Sequence, residues 1–319
     1  MTTNQEMFLY AVEEMSFTRA AARAFVTQQC LSNHIRRLEE SYGVRLFDRS
    51  PALRLTPAGE RLYHAMRQIQ EIERGVRQEF SGAGEAARGT VTLGIHGARA
   101  RQLVPRLFAA YRMAYPNVRL AVVLDETKRL AASLLEGKID LFLGVDCPPG
   151  PRLQKECLWR EPIYLLASEH LLAERLPEWR EGSKAVRAEW LPLLPLAVNP
   201  SVSTAVQAVE RFFTQRDLVA DRVCEVGDYY TQLALCRLGQ SAAFCPESFL
   251  EEVFSENLKS PREEQVRVLR VPGLEGGLRV DLVTRAGRYM PPYAEAFLSM
   301  LREQYLGRMR EIRRTAEGG

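Results

Sequence analysis

The sequence has no CxxC spacing, no cluster of histidines, no long apolar run and no large excess of one charge. Its 6 cysteines (Cys30, Cys147, Cys157, Cys224, Cys236 and Cys245) and 4 histidines (His34, His64, His96 and His170) are scattered over 319 residues. That dispersal fits reduced thiols rather than a disulfide framework or a zinc knuckle, and no metal site is expected. The strongest apolar stretch, Leu191 to Val198, is broken by Pro192 and Pro195 and falls far short of the roughly 20 residues of a membrane-spanning helix. The start, Met1-Thr2-Thr3-Asn4-Gln5-Glu6, carries no basic segment leading into an apolar core, so no secretory signal is expected and the chain is expected in the cytoplasm. Lys and Arg number 43 against 40 Asp and Glu, a net charge of +3; any basic surface must be local. No Walker pattern or dinucleotide fingerprint occurs, and Gly239-Gln240-Ser241-Ala242-Ala243 lacks the final glycine and the strand-to-helix setting of a nucleophile elbow. The chain is therefore expected to have no catalytic residues and to be no enzyme.

What is present divides into two rhythms. The first 80 or so residues follow a helical period, whereas short apolar strands alternate with helices from Thr90 onward. Between them Ser81-Gly82-Ala83-Gly84-Glu85, followed by Gly89, reads as a hinge. Phe8, Ala11, Val12 and Met15 mark one helix, and Ser16 caps a second from Phe17 to about Phe25, in which Ala20, Ala21 and Ala22 admit a close neighbour. Thr27 caps a third helix ending at Gly43, with Leu31, Ile35 and Leu38 on one face. Its other face displays Gln28, Gln29, Ser32, Asn33, Arg36 and Arg37, a mix that suits a solvated bundle surface and equally the reading of base edges and phosphates. Val44 to Thr56 reads as a hairpin wing carrying Arg49 and Arg54. Thr56-Pro57 then starts a long helix to about Phe80, on which Leu62, Met66, Ile69 and Val76 form a seam. That seam suits either the chain's own second domain or a second copy.

Ser16-Phe17-Thr18-Arg19-Ala20-Ala21, Leu31-Ser32, Ile35-Arg36-Arg37-Leu38-Glu39, Gly43-Val44-Arg45-Leu46-Phe47-Asp48-Arg49 and Leu55-Thr56-Pro57-Ala58-Gly59 together resemble the LysR-type transcriptional regulators. The resemblance is ordered and nearly gap-free over about 60 residues, and a weaker one covers most of the rest. It implies an N-terminal all-α winged helix-turn-helix with a long linker helix, and a C-terminal α/β two-lobed effector domain like the periplasmic binding proteins. The expected divisions are a DNA-binding domain at 1–56, a dimerising linker helix at 57–80, a hinge at 81–89, the effector domain at 90–306 and a mobile tail at 307–319. The implied function is sequence-specific, effector-modulated transcription regulation. The implied partners are double-stranded DNA, a small-molecule effector, further copies in a dimer or tetramer and, for an activator, the transcription machinery. By the same resemblance Thr18, Thr27, Gln28 and Ser32 match DNA-contacting positions, Arg36 a phosphate contact, and Arg49 and Arg54 the wing. Gln29 and Asn33 depart from the family pattern, as does His34, while remaining on the reading face; Asn33 suits adenine where the family often has arginine.

From Thr90 the order β-α-β-α-β predicts a parallel sheet. Leu194 to Val198, a helix over 203–215, Asp221 to Val226, a helix over 229–238 and Ser241 to Cys245 predict a second lobe. The chain is expected to return through Leu278 to Thr284 and to end with a helix from Pro291 to about Leu306. Ligands in such folds sit where strands end and helices begin. The expected effector residues are His96, Gly97, Ala98 and Arg99, with Thr127, Ser201, Ser203 and Phe244. Arg99 or Arg101, if turned inward, would favour an anion such as a carboxylate; turned outward, both are solvated. His96 suits a pH sensor or a polar anchor. Two other readings stay open: a cytosolic receptor without specific DNA binding, and a redox sensor using Cys224, Cys236 and Cys245.

Overall fold

A computed structural model describes residues 1–48, 52–80, 87–200, 203–274 and 276–318, with the side chains of all of these except 68, 71, 74–80, 263 and 318. The chain opens with three helices, α1 (Thr3–Glu14), α2 (Phe17–Arg23) and α3 (Gln28–Tyr42). They enclose Phe8, Ala11, Ala20, Leu31 and Ile35, all fully buried; the small Ala20 and Ala21 let α2 approach its neighbours. Ser16 and Thr27 cap α2 and α3 through their hydroxyls, and Gly43 ends α3 in the left-handed region at φ 66°. Glu39 Oε1 then accepts the amides of Leu46 at 2.7 Å and Phe47 at 3.3 Å, which fixes where the wing begins. The wing pairs β1 (Phe47–Asp48) antiparallel with β2 (Arg54–Leu55). Thr56 Oγ1 accepts the Gly59 amide at 3.0 Å and starts α4 (Pro57–Phe80). A side chain at Gly59 would fall 2.1 Å from the Leu46 carbonyl oxygen, so only glycine lets the helix start lie this close to the wing.

Most of the expected hinge, 81–86, lies outside the described residues, and the next element begins at Gly89. Lobe I opens with β3 (Gly89–Ile95), α5 (Gly97–Ala114), β4 (Val118–Leu124), α6 (Thr127–Leu135), β5 (Leu141–Val145) and β6 (Leu153–Glu161). The chain crosses at Pro162 into lobe II: β7 (Ile163–Ser168), α7 (Glu169–Arg175), β8 (Pro195–Val198), α8 (Thr204–Gln215), β9 (Asp221–Glu225), α9 (Tyr229–Arg237), β10 (Ala242–Pro246), α10 (Leu250–Lys259) and β11 (Val266–Arg270). It returns to lobe I as β12 (Leu278–Arg285) and ends in α11 (Pro292–Gly318).

The sheet orders are β4-β3-β5-β12-β6 in lobe I and β11-β7-β10-β8-β9 in lobe II. β3, β4 and β5 run parallel as the alternation predicts, but β12 lies antiparallel to both β5 and β6, because the chain re-enters lobe I from the opposite end. The sheet is thus mixed rather than parallel. A second correction concerns the carboxy terminus. Residues beyond 306 were expected to be a mobile tail, yet α11 continues to Gly318 and buries Met309 and Ile312, at 0% and 4% exposure. Helical spacing carries the apolar stripe of Phe297, Leu301 and Tyr305 onward by another two turns.

Candidate functional site

Two surfaces gather the polar residues that the sequence singles out. The first is the outer face of α3. Leu31, Ile35 and Leu38 point into the core, so the intervening positions turn outward. Gln28, Gln29, Asn33, Arg36 and Arg37 are exposed and Ser32 is half-buried. Thr27 Oγ1 accepts the Cys30 amide at 3.2 Å, and the Thr18 hydroxyl on α2 donates to Gln28 Oε1 at 3.3 Å. Arg36 Nε lies 3.6 Å from Glu40 one turn along, with both side chains about two-thirds exposed. Such a pair is worth a few tenths of a kcal/mol, about 0.3–0.5, and yields readily to a phosphate.

His34 turns away from this face, its Nδ1 2.6 Å from Asn4 Oδ1 on α1. Sequence periodicity missed Phe25: α2 stops before it, and it stands in the left-handed region at φ 56°, 96% exposed, in the turn leading to α3. Arg54 is exposed opposite Asp48 on the wing, whereas Arg49 lies outside the described residues. On α4, Leu62 packs against the amino-terminal core and Met66 is buried in it at 3% exposure. Met66, expected on a dimer seam, is therefore committed to its own domain, since the first turns of α4 close that core. Ile69 and Ile72 remain exposed, and the Val76 side chain lies outside those described.

The second surface is a cleft between the lobes. Lobe I brings His96, Ala98, Arg99 and Gln102, with Asp125, Glu126 and Thr127; lobe II brings Ser203, Thr204, Ala205, Tyr229 and Phe249. Five expected effector residues, His96, Ala98, Arg99, Thr127 and Ser203, thus meet around one space. Gly97 is not in its wall, Ser201 lies outside the described residues, and Phe244 packs its ring edge-on against Phe213 at 6.1 Å inside lobe II. There it lines a separate apolar pocket beneath α8.

The polar groups of the wall are largely engaged with one another. Arg99 contacts Glu161 through Nη2, and Glu161, fully buried, accepts the Ser248 amide at 2.6 Å on its other oxygen. Burial, the largest influence, lowers the guanidinium pKa, but Glu161, with Tyr305 and Tyr229, raises it above the ordinary value, so Arg99 stays charged beside its counter-charge. Arg101 lies 4.0 Å over the ring of Tyr230. Both arginines expected to hold a carboxylate thus have partners within the chain. His96 Nδ1 accepts the Ala98 amide at 3.3 Å, which leaves the ring proton on Nε2, 3.4 Å from Glu126. Thr127 Oγ1 accepts the Val145 amide at 2.9 Å. Glu126 and Ser203 stand at the starts of α6 and α8 without capping them through their side chains.

Sequence reasoning missed the supports behind this wall. Glu247, fully buried, accepts Trp159 Nε1 at 2.7 Å and a two-pronged contact from Arg313 at 2.8 and 2.7 Å. Arg313 also lies 4.4 Å over the Trp159 ring, so the last turns of α11 hold the end of β6 to the segment after β10. Of the three lobe II cysteines named for a redox switch, Cys224 is half-buried and Cys236 and Cys245 are buried; burial pushes the Cys236 thiol up to about 12 and that of Cys245 well above its ordinary value, the opposite of activation.

Residues 3–60 match the family model described as bacterial regulatory helix-turn-helix protein, lysR family, and residues 84–306 match the LysR substrate binding domain. The chain belongs to the LysR family. The regulator TfdS of Cupriavidus pinatubonensis is 31% identical over 245 residues, 76% of this chain and 80% of that relative. BenM of Acinetobacter baylyi is 27% identical over 243 residues, 76% of this chain and 78% of the relative. Among solved structures, a full-length OxyR variant from Pseudomonas aeruginosa shares the fold at a TM-score of 0.67 and 21% identity, over 95% of this chain and 94% of its own. CbnR in complex with its target DNA does so at 0.52 and 20% identity, over 94% and 98%. This LysR-family chain is a DNA-binding transcription regulator with an effector-binding domain, of a family whose members bind DNA, small molecules and one another. Among the described residues no helix is long and apolar enough to cross a membrane, and no group of His, Cys, Asp or Glu could hold a metal ion.

Proposed function

We propose that α3 reads an operator through Gln28, Gln29, Ser32 and Asn33, with Thr18 and Thr27 setting its approach, Arg36 on a phosphate, and Arg49 and Arg54 of the wing on the flanking backbone or minor groove. The observation that carries this is the outward row of amides and guanidiniums on α3, standing over a packed face of Leu31, Ile35 and Leu38. Residues 1–56 form the reading domain, 57–80 the pairing helix with Leu62, Ile69 and Val76 on its seam, and 90–306 the sensing domain. The protein works where its DNA is, in the cytoplasm, and catalyses no reaction.

The effector sits between the lobes, in contact with His96, Ala98, Thr127 and Ser203. It carries an acceptor group, a carboxylate above all. Occupancy of the cleft changes the relative placement of the lobes, and with them the paired subunits and the spacing or bending of the DNA. Selection of genomic fragments by the full-length protein, footprinted at two salt concentrations, tests the first half. A short, roughly two-fold-symmetric site is expected; salt-sensitive binding without sequence preference would overturn it. The second half predicts a footprint whose length or bend changes with saturating effector, and an unchanged footprint refutes it.

A further inference from the structure

The charges around the cleft do not suit a plain anion. Arg99 is the one Lys or Arg among the described residues of the wall, and Glu161 neutralises it in place. Asp125 and Glu126, side by side at the start of α6, border the same space. One oxygen of each is engaged: Asp125 Oδ1 accepts the Glu126 amide at 2.8 Å with Arg129 3.5 Å away, and Glu126 Oε1 lies 3.4 Å from His96. The second oxygen of each carboxylate has no hydrogen-bond donor among the described residues. From lobe II, Tyr229 and Phe249, with ring centres 5.4 Å apart, add aromatic surface to the wall. Carboxylates facing aromatic rings attract an ammonium group twice over, through charge and through the negative faces of the rings.

The wall also holds two buried donor atoms that lack a well-aligned acceptor, although the Tyr305 hydroxyl stands beside the Arg99 guanidinium. Arg99 Nε and Gln102 Nε2 are both out of water and without an acceptor, and Arg99 as a whole is only 8% exposed. A buried donor left without an acceptor is costly, and an acceptor supplied by a ligand in the cleft relieves that cost.

We propose that the effector carries a protonated amine held by Asp125 and Glu126, together with a carboxylate or carbonyl directed at Gln102 and Arg99: a zwitterionic, amino-acid-like molecule. This rests on the cleft being the effector site. The test is calorimetric titration of the full-length protein with the common L-amino acids, each paired with its desamino counterpart. At least one amino acid should bind about tenfold or more tightly than its desamino partner. Glu126→Gln should close that gap while leaving the desamino acid's affinity in place, and Asp125→Asn serves the same purpose should the first variant not fold. A desamino acid binding as tightly as its amino acid overturns the amine while leaving the cleft as the effector site, and so does a Glu126→Gln variant that binds the amino acid more tightly. Ala205→Trp fills the cavity; binding that survives it takes down both the amine and the cleft, as does a panel in which nothing binds.

Discussion

The two openings of this molecule handle polar side chains in opposite ways. On α3 the amides and guanidiniums stand out from the helix with few partners, and what fixes them is the apolar face beneath: Leu31, Ile35 and Leu38 hold the helix while Gln29, Asn33 and Arg37 project. In the cleft most polar groups already have a partner within the chain. Arg99 answers Glu161, His96 caps α5, and Thr127 holds the Val145 amide. A long polymer with a repeating charge can be met by side chains that find their partners on arrival, whereas a small molecule offers a few atoms and needs a wall set beforehand. The difference teaches where mutations should act: on recognition at α3, on the integrity of the domain in the cleft.

The largest expected effect comes from Glu161→Gln, which leaves the Arg99 charge without its counter-charge in a dry wall and should cost about 3–5 kcal/mol of stability by chemical denaturation. A loss below about 1 kcal/mol, the level of an exposed pair, would erase the contrast. Gln28→Ala should instead leave the melting temperature in place and reduce discrimination between the selected site and a scrambled duplex by about 1–3 kcal/mol in paired binding measurements. Thr27→Ala tests the boundary between the two behaviours, since the residue caps α3 and stands on the face proposed to meet DNA; about 1 kcal/mol of stability should go with the cap. Arg36→Ala should be mildest: binding weakens alike on every sequence, and the slope of log affinity against log salt falls by about 1. A loss confined to one sequence would move Arg36 from phosphate to base.

The same contrast governs how far the sequence alone reached. The reading head was legible because its determinants are local: Thr27 and Gly43 bracket α3, and a 3.6-residue period separates its two faces. The helix starts around the cleft were legible too, since His96, Thr127 and Ser203 each follow a strand. Glu161 was not, because its partners Arg99 and Ser248 lie 62 and 87 residues away. β6 escaped because exposed Gln154, Glu156 and Cys157 and the half-buried Lys155 leave it little apolar signal, and β7 because six consecutive buried residues have no period to read. The end of α11 was misjudged on its arginines. Arg313 sounds like solvent in isolation, yet it finds Glu247, and Met309 and Ile312 keep the helix on the domain.

The position of β12 sets an order of birth for the protein. β6 stands at the edge of lobe I, and β12 is its one neighbour in that sheet. Residues 153–161 therefore wait on the ribosome's delivery of 278–285, after every strand of lobe II has emerged. The helix-turn-helix, complete by about residue 60, is free to fold long before. A nascent chain can thus present a finished DNA-reading head while its sensor is still open, and a transcript cut short before β12 would yield a regulator able to find its operator but deaf to its signal.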